Sequence, residues 1–253
     1  MNKHRQLYLD IVRRTVCGLT FRDVSMSPWN KGVFDEEVRN NGTDWPTLAH
    51  TMIGHKRLLN IENLCKTIIE ENITGDFVET GVWRGGACIF MNAILEAYEI
   101  TDKKIWVCDS FQGLPPPDPK YEADNGDIHY QLDEFLSIPL EKVQQNFQDY
   151  NLLNDRVMFV QGFFKYSMPL LKETLEKEGR KISLLRLDGD MYESTMNVLE
   201  NLYPLVVDNG YIIIDDYILP NCRAALSDYF KDKKEMMAER IDEHSVFWRK
   251  NEV

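Results

Sequence analysis

Four aspartates follow two apolar runs that are typical of buried strands. Asp188 and Asp190 follow "ISLLRL", and Asp215 and Asp216 follow "GYIII". The chain between Asp188 and Asp215 has room for one helix and one strand, and a right-handed strand–helix–strand unit returns beside its starting strand. We therefore expect Asp188, Asp215 and Asp216 to converge at one edge of a sheet.

Converging carboxylates need a bound cation or protonation, and oxygen ligands without His or Cys suit a hard ion, Mg²⁺ above all, with Mn²⁺ or Ca²⁺ as alternatives. Asp190 is interpreted as the cap of the next helix in preference to a metal ligand. Asp216 could instead be a turn residue, and Arg186 could pair with Asp188 on the same strand face. Because one arginine cannot neutralise three carboxylates, the sequence favours a metal site of Asp188, Asp215 and Asp216.

A glycine-containing turn lies in "FVETGVWRGGACIF", between a strand and a helix. Gly81, Gly85 and Gly86 let the backbone approach a ligand, and the helix start offers free N–H groups. Trp83 stands where a GxGxxG motif has its second glycine, which disfavours the pyrophosphate of NAD or FAD. Glu79 would repel phosphates but suits an ammonium group, which S-adenosylmethionine carries together with a sulfonium.

Two further segments indicate a nucleoside. Asp109 ends the second strand, where an acidic residue can accept hydrogen bonds from ribose hydroxyls. In "QGFF", Gly162 allows an adenine to approach and Phe163 could stack on it or simply pack in the core.

A hard cation beside a sulfonium donor suggests that two substrate hydroxyls chelate the ion and that a carboxylate removes one proton before the methyl transfer. Asp188 is predicted to be both a metal ligand and the general base.

Short apolar strands alternate with amphipathic helices after Gly75, which predicts an α/β fold whose mostly parallel sheet is covered on both faces. Ligands of such sheets lie beyond the carboxyl ends of the strands. The final run, "SVFWRK", is predicted to be an edge strand. In the N-terminal part, "YLDIVRRTV" and "TLAHTMIGHKRLLNIENLCKTIIEEN" are predicted helices, and Trp29 and Trp45 are expected to pack this part onto the rest of the chain rather than to contact a ligand.

Composition narrows the class of protein. The net charge of −12 and the pI near 4.9 argue against binding to nucleic acid or to an anionic membrane. The five cysteines lack CxxC spacing and are predicted to be reduced, buried thiols. The first residues lack the pattern of a signal peptide, and no apolar stretch is long enough to span a membrane. The protein is therefore expected to be soluble and cytoplasmic.

Several segments together resemble the macrocin O-methyltransferase family of macrolide biosynthesis. They are "DWPTLAHTMIG", "FVETGVWRGGACI", "DSFQGLP", "RLDGDMYEST", "NLYPLV", "GYIIIDDY" and "VFW", from about residue 44 to the end. The resemblance implies a Rossmann-like class I methyltransferase with a seven-stranded sheet, which uses S-adenosylmethionine and Mg²⁺ to methylate a hydroxyl of a deoxysugar. It divides the chain into an N-terminal helical extension or lid (1–72) and a methyltransferase domain (73–253).

The resemblance also implies roles for individual residues. It places the metal on Asp188, Asp215 and Asp216, assigns the proton acceptor to Asp188, and suggests a homodimer in which the extension helps to close the site.

The stretch 114–137 departs from the family pattern and is predicted to be a lid over the acceptor. His129 within it could be a second base, although a solvated loop histidine is favoured. The implied cofactor contacts are Thr51, Met52, Glu79, Thr80, Gly81, Val82, Trp83, Arg84, Gly85, Asp109, Ser110, Phe111, Gln112, Gly113, Gly162, Phe163 and Asp188.

Three other functions stay open at this point. A catechol-type O-methyltransferase acting on a small aromatic diol would need the same chelation chemistry. A non-catalytic subunit could retain the fold, although clustered carboxylates have no purpose in a scaffold. A nucleotide-dependent oxidoreductase is disfavoured by the missing second glycine.

Overall fold

The computed structural model describes residues 2–231 and 238–251, and in that part of the chain seven strands form a single sheet. The strands are β1 (Asp76–Thr80), β2 (Ile105–Asp109), β3 (Val157–Gln161), β4 (Ile182–Leu187), β5 (Val206–Ile214), β6 (Glu239–Arg240) and β7 (Val246–Arg249). Their order is β3-β2-β1-β4-β5-β7-β6. β1 to β5 are parallel to one another, and β7 is antiparallel to β5 and β6. The prediction of a mostly parallel sheet is confirmed.

The prediction that "SVFWRK" forms an edge strand is wrong. β7 lies between β5 and β6, and Trp248 in it is 1% exposed. The outer strand β6 has only two residues, Glu239 and Arg240, and both are exposed. Two polar residues carry no alternating pattern, so the sequence does not indicate that a further strand covers β7.

Helices cover both faces of the sheet, as predicted. They are α1 (Lys3–Val16), α2 (Glu36–Asn40), α3 (Gly54–Glu70), α4 (Gly86–Ala97), α5 (Asp133–Leu136), α6 (Leu140–Asp149), α7 (Phe164–Lys177), α8 (Tyr192–Leu202) and α9 (Pro220–Phe230). Alternation along the strands sends Phe77 and Ile213 into one core with α1, α3, α4 and α6. Val78 and Ile212 point into the other core, against α7, α8 and α9.

The second helix of the N-terminal extension is shorter than predicted. α3 begins at Gly54, whereas the prediction began the helix at Thr47. The N–H groups of Leu48 and Ala49 donate to the Asp23 carboxylate, and the next two donate to the carbonyl of residue 16. These bonds satisfy the backbone without a helix, and they hold residues 47–53 as an irregular segment against α1.

Two further predictions concern the cysteines and the membrane-spanning potential of the helices. All five cysteines are buried thiols without a disulfide, as predicted. In residues 2–231 and 238–251, none of the helices combines the length and the apolar character that a bilayer crossing requires.

Candidate active site

The predicted convergence of carboxylates is confirmed. Asp188 follows β4, and Asp215 and Asp216 follow β5, which is the parallel neighbour of β4 in the sheet. One oxygen from each of the three side chains lies within 4.8 Å of the others. The carboxyl ends of two adjacent strands therefore present three hard oxygen ligands to one point.

Two arginines contact this carboxylate cluster. Arg186 Nη1 lies 2.8 Å from Asp188 Oδ2, and Arg186 Nη2 lies 2.6 Å from Asp215 Oδ1. Arg57 Nη1 lies 2.6 Å from Asp215 Oδ2. Asp216 makes no salt bridge within residues 2–231 and 238–251, and its Oδ2 accepts the backbone N–H of Asp190 at 3.0 Å. The pairing of Arg186 with Asp188, considered above as an alternative to a metal site, is present, but the cluster keeps an excess of negative charge.

The three carboxylates are electrostatically unequal. Burial would raise the pKa of Asp215, but Arg186 and Arg57 outweigh it and hold the pKa below its usual value. Burial, together with repulsion from Asp215, raises the pKa of Asp188 well above its usual value. The pKa of Asp216 is raised as well, by burial and by Asp190. Excess negative charge on hard oxygen atoms suits a divalent cation, so the residues fit the predicted ion.

The prediction that Asp190 caps the next helix is wrong. Met191 stands at the cap position of α8, and Asp190 has a left-handed backbone with φ of 58°. Asp124 supplies the cap instead, since its carboxylate accepts the N–H groups of Tyr192 at 2.7 Å and Glu193 at 2.9 Å. Burial and the nearby carboxylates raise the pKa of Asp190 to about 7. Asp124 is distant in sequence from α8, so no local signal could have revealed it.

The glycine turn packs directly against the strand that carries Asp188. Gly81 has a φ of 85°, and a Cβ there would lie 1.5 Å from the carbonyl oxygen of Asp188. Trp83, at the position of the missing glycine, also adopts a left-handed conformation with φ of 47°. Its indole N–H donates to the carbonyl of Phe135 at 2.8 Å. The turn thus keeps a glycine-like backbone, while its tryptophan side chain fixes helix α5.

The two acidic residues at the ends of β1 and β2 already have partners in the protein. Glu79 Oε1 lies 2.5 Å from Arg186 Nη1, and Glu79 Oε2 accepts the thiol of Cys88 at 2.7 Å. Asp109 accepts the N–H groups of Val82 and Phe111, both at 2.8 Å. Burial raises the pKa of both carboxyls, and these donors oppose that shift. Their predicted contacts with an ammonium group and a ribose stay predictions.

One cavity of about 960 Å³ lies over the carboxylate cluster. The metal candidates Asp215 and Asp216 line it, together with eleven of the predicted cofactor contacts, namely Thr51, Met52, Glu79, Gly81, Val82, Trp83, Asp109, Ser110, Gly113, Phe163 and Asp188. Six predicted cofactor contacts are not part of the lining, namely Thr80, Arg84, Gly85, Phe111, Gln112 and Gly162. Arg84 has another role, because its Nη1 donates to the carbonyls of residues 46, 47 and 49.

The extension forms part of the cavity wall. The N–H of Gly86, at the start of α4, donates to the carbonyl of His50 at 2.8 Å, and a Cβ on this glycine would lie 2.4 Å from that oxygen. This close approach holds Thr51 and Met52 at the cavity. Only the family resemblance had indicated these two residues, because their segment has no chemical motif of its own.

The two tryptophans of the extension also line the cavity. Trp29 is 62% exposed and contacts Trp45, and its indole N–H donates to the carbonyl of Thr43. Trp45 contacts Phe135 of α5, with ring centroids 5.6 Å apart. The prediction that both tryptophans pack the extension onto the rest of the chain is therefore wrong for Trp29.

The segment 114–137 lines the cavity with several residues, including Leu114, Pro115 and Leu136. The His129 side chain in it is 48% exposed, and its Nδ1 lies 2.9 Å from Asp127 Oδ1. Because His129 is half exposed and also lines the cavity, both interpretations, a solvated histidine and a second base, stay predictions.

His50 predicts a pH dependence of stability. Its Nδ1 lies 2.9 Å from the hydroxyl of Tyr150, and burial, with Lys142 and Arg84 nearby, lowers its pKa from 6.5 to about 4. The unfolded chain binds a proton near pH 6.5 and the folded chain only near pH 4, so stability falls as the pH drops between these values. We expect the free energy of unfolding to fall by about 2 kcal/mol more for wild type than for His50→Gln between pH of about 7.5 and about 5. Urea unfolding at both pH values measures this, and equal losses would contradict the assignment.

Comparison with known proteins identifies the family. A profile of the macrocin-O-methyltransferase (TylF) family matches residues 3–250. The mycinamicin III 3''-O-methyltransferase of Micromonospora griseorubida is 42% identical over 253 residues, with 97% of each chain covered. The 8-demethyl-8-(2,3-dimethoxy-alpha-L-rhamnosyl)-tetracenomycin-C 4'-O-methyltransferase of Streptomyces olivaceus is 40% identical, over 97% of this chain and 93% of that protein.

The solved structure of the O-methyltransferase NovP has the same architecture. It matches with a TM-score of 0.90 and 40% identity, covering 98% of this chain and 100% of that chain. The predicted Rossmann-like class I methyltransferase fold is confirmed by this agreement. The chain therefore belongs to the macrocin O-methyltransferase family, and it is an O-methyltransferase.

Proposed function

We propose that the protein transfers the methyl group of S-adenosylmethionine to a hydroxyl of a deoxysugar on a glycosylated natural product, with Mg²⁺ bound by Asp188, Asp215 and Asp216. The observation that carries this proposal is the convergence of three carboxylate oxygens within 4.8 Å at a cavity of about 960 Å³. The rhamnosyl group in the name of the Streptomyces olivaceus relative supports a sugar acceptor.

S-adenosylmethionine would supply an electrophilic methyl group beside the glycine turn. Gly81 keeps the turn against the end of β4, so a cofactor bound at this turn would lie close to Asp188. Asp109 and Phe163 line the same cavity, where they would contact the ribose and the adenine. Thr51 and Met52 of the extension would close the cofactor side of the cavity.

Asp188 is the proposed general base, and its electrostatic environment differs from that of Asp215. Both oxygens of Asp215 are paired with arginines and its pKa is lowered, so it is a poor proton acceptor. Within residues 2–231 and 238–251, Asp188 has one salt-bridge partner, Arg186, at its Oδ2. The Asp188 side chain is 25% exposed at the cavity, and its pKa is raised. Mg²⁺ would supply positive charge that lowers the pKa of the acceptor hydroxyl. Asp188 can then accept the proton of that hydroxyl as the methyl group is transferred.

The predicted organisation of the chain belongs to the same proposal. Residues 1–72 would act as an extension that closes the site of the methyltransferase domain, and two copies would form a cytoplasmic homodimer. Leu7 and Ile11 support self-association, because they lie one turn apart on α1 and are 51% and 60% exposed. Sedimentation of the purified chain measures the oligomeric state directly.

A methyl-transfer screen tests the proposed acceptor class. The screen offers deoxysugars in three forms (free, nucleotide-linked and carried by an aglycone), with catechol as the alternative diol and S-adenosylmethionine as donor. We expect turnover of an aglycone-linked sugar, because the cavity wall adds Trp29 and Leu114 to the polar groups at the strand ends. Methylation of catechol alone would contradict the sugar assignment while leaving the methyltransferase fold unaffected. Isothermal titration with S-adenosylmethionine and NAD tests the cofactor separately.

A further inference from the structure

Asp215 is contacted from two different parts of the chain. Arg186 on β4 binds Oδ1, whereas Arg57 on α3 of the N-terminal extension binds Oδ2, each at 2.6 Å. The side chains of Arg57 and Asp215 are 7% and 5% exposed, so solvent screens their contact weakly. The extension thus contributes a buried cation to a carboxylate that the sheet supplies.

Arg57 is itself fixed by the turn between β6 and β7. Its Nε lies 2.7 Å from Asp242 Oδ2, and Asp242 Oδ1 accepts the N–H groups of His244 and Ser245. The hydroxyl of Ser245 donates to the backbone carbonyl of Asp215 at 2.8 Å. These contacts form a closed ring that joins α3, the end of β5 and the β6–β7 turn. Within this ring, Asp215 cannot rotate without breaking a buried ion pair.

We infer that Arg57 is a positioning residue that orients Asp215 for cation binding and makes that binding depend on the placement of the N-terminal extension. The inference rests on the proposed metal dependence. It adds a role for Arg57, a residue of the N-terminal extension that pairs with a proposed metal ligand. Residues that orient a metal ligand typically change metal affinity by about 10- to 100-fold when they are replaced.

Two substitutions distinguish a role of Arg57 in orienting Asp215 from an effect of its positive charge alone. Arg57→Lys keeps the positive charge but cannot bridge Asp215 and Asp242, and Arg57→Gln removes the charge. If Arg57 positions Asp215, both variants bind Mn²⁺ about tenfold or more weakly than wild type. If Arg57 only repels the cation, Arg57→Gln binds Mn²⁺ more tightly and Arg57→Lys binds it normally, and that result would overturn the inference.

Mn²⁺ binding to the full chain is measured by electron paramagnetic resonance without acceptor, so the readout does not depend on turnover. Arg13→Lys is the matched control, because Arg13 is also a buried arginine of the extension, paired with Glu62 and Asp10 away from the cavity. The control should keep the Mn²⁺ affinity of wild type. Wild type that binds no Mn²⁺ would refute the proposed metal dependence itself, whereas normal binding by Arg57→Lys would refute only the role of Arg57.

A second variant and a reciprocal measurement cover the case in which Arg57 variants do not fold. Asp242→Asn leaves both Arg57 and Asp215 in place but loosens the ring, and it should weaken Mn²⁺ binding in the same direction. Because coupling between two sites is reciprocal, Mn²⁺ should also slow hydrogen exchange of α3 amides in wild type. Normal Mn²⁺ affinity in Asp242→Asn, or exchange of α3 that Mn²⁺ leaves unchanged, would overturn the inference.

Discussion

Asp188→Asn is expected to lower kcat by about 10²- to 10⁴-fold, the usual range for loss of a general base. The variant keeps the shape of the side chain but removes the charge that accepts a proton and binds a cation. Arg186 retains its contacts with Glu79 and Asp215, so the fold should survive. We expect S-adenosylmethionine to bind with wild-type affinity, since the glycine turn approaches the backbone carbonyl of residue 188 most closely, and the substitution leaves that carbonyl in place.

The measurement combines steady-state rates with isothermal titration of S-adenosylmethionine. Asp76→Asn provides the matched control, because Asp76 is a buried, arginine-paired aspartate at the opposite end of the sheet, bound by Arg180 at 2.5 Å. That variant should lose stability yet keep the kcat of its folded fraction. Wild-type turnover by Asp188→Asn would remove the base assignment, and a parallel loss of cofactor binding would show that the residue acts on binding instead.

The carboxylate cluster could be predicted because local patterns determine it. Apolar runs mark the strands, the interval between them sets one crossover, and parallel neighbours present their carboxyl ends together. Asp188 and Asp215 directly follow such runs and Asp216 comes one residue later, so their convergence could be predicted without knowledge of distant contacts. The same reasoning placed Gly81 and Asp109 at the cavity.

The charges that balance this cluster could not be predicted in the same way. Arg57 reaches Asp215 only after α3 has packed on the sheet, and 158 residues separate the two along the chain. Asp124, which caps α8, is likewise distant in sequence, 68 residues before Tyr192. Asp190 lies directly before α8, so sequence reasoning assigned the cap to Asp190 instead. Such partners depend on tertiary packing, whereas propensity and spacing report only local structure.

Trp83 shows a second limit of motif reasoning. Its replacement of a motif glycine was taken as evidence against a dinucleotide, yet the backbone still adopts the left-handed conformation that glycine favours. The hydrogen bond from its indole to Phe135 is one contact that can offset the strain. The residue type at this position therefore did not reveal the backbone conformation of the turn.

Removal of divalent cations by EDTA is expected to lower turnover by at least about 100-fold, and added Mg²⁺ should restore it. The physical reason is the unbalanced charge of the cluster, because two arginines face Asp188, Asp215, Asp216 and Glu79 together. Without a cation, the raised pKa values of Asp188 and Asp216 favour protons on these oxygens. The protein should remain folded in EDTA, since its two cores do not include the cluster.

The same pKa shifts give the sign of a pH effect on metal binding. A cation must displace the protons that Asp188 and Asp216 hold, so Mg²⁺ should bind more tightly as the pH rises, by up to about tenfold per pH unit for each proton released. Asp215 should not contribute, because its arginine partners lower its pKa. Titration calorimetry in two buffers of different ionisation enthalpy counts the protons released. Unchanged turnover under chelation, or Mg²⁺ binding that releases no protons, would show that the charge of this cluster is balanced by some means other than a bound cation.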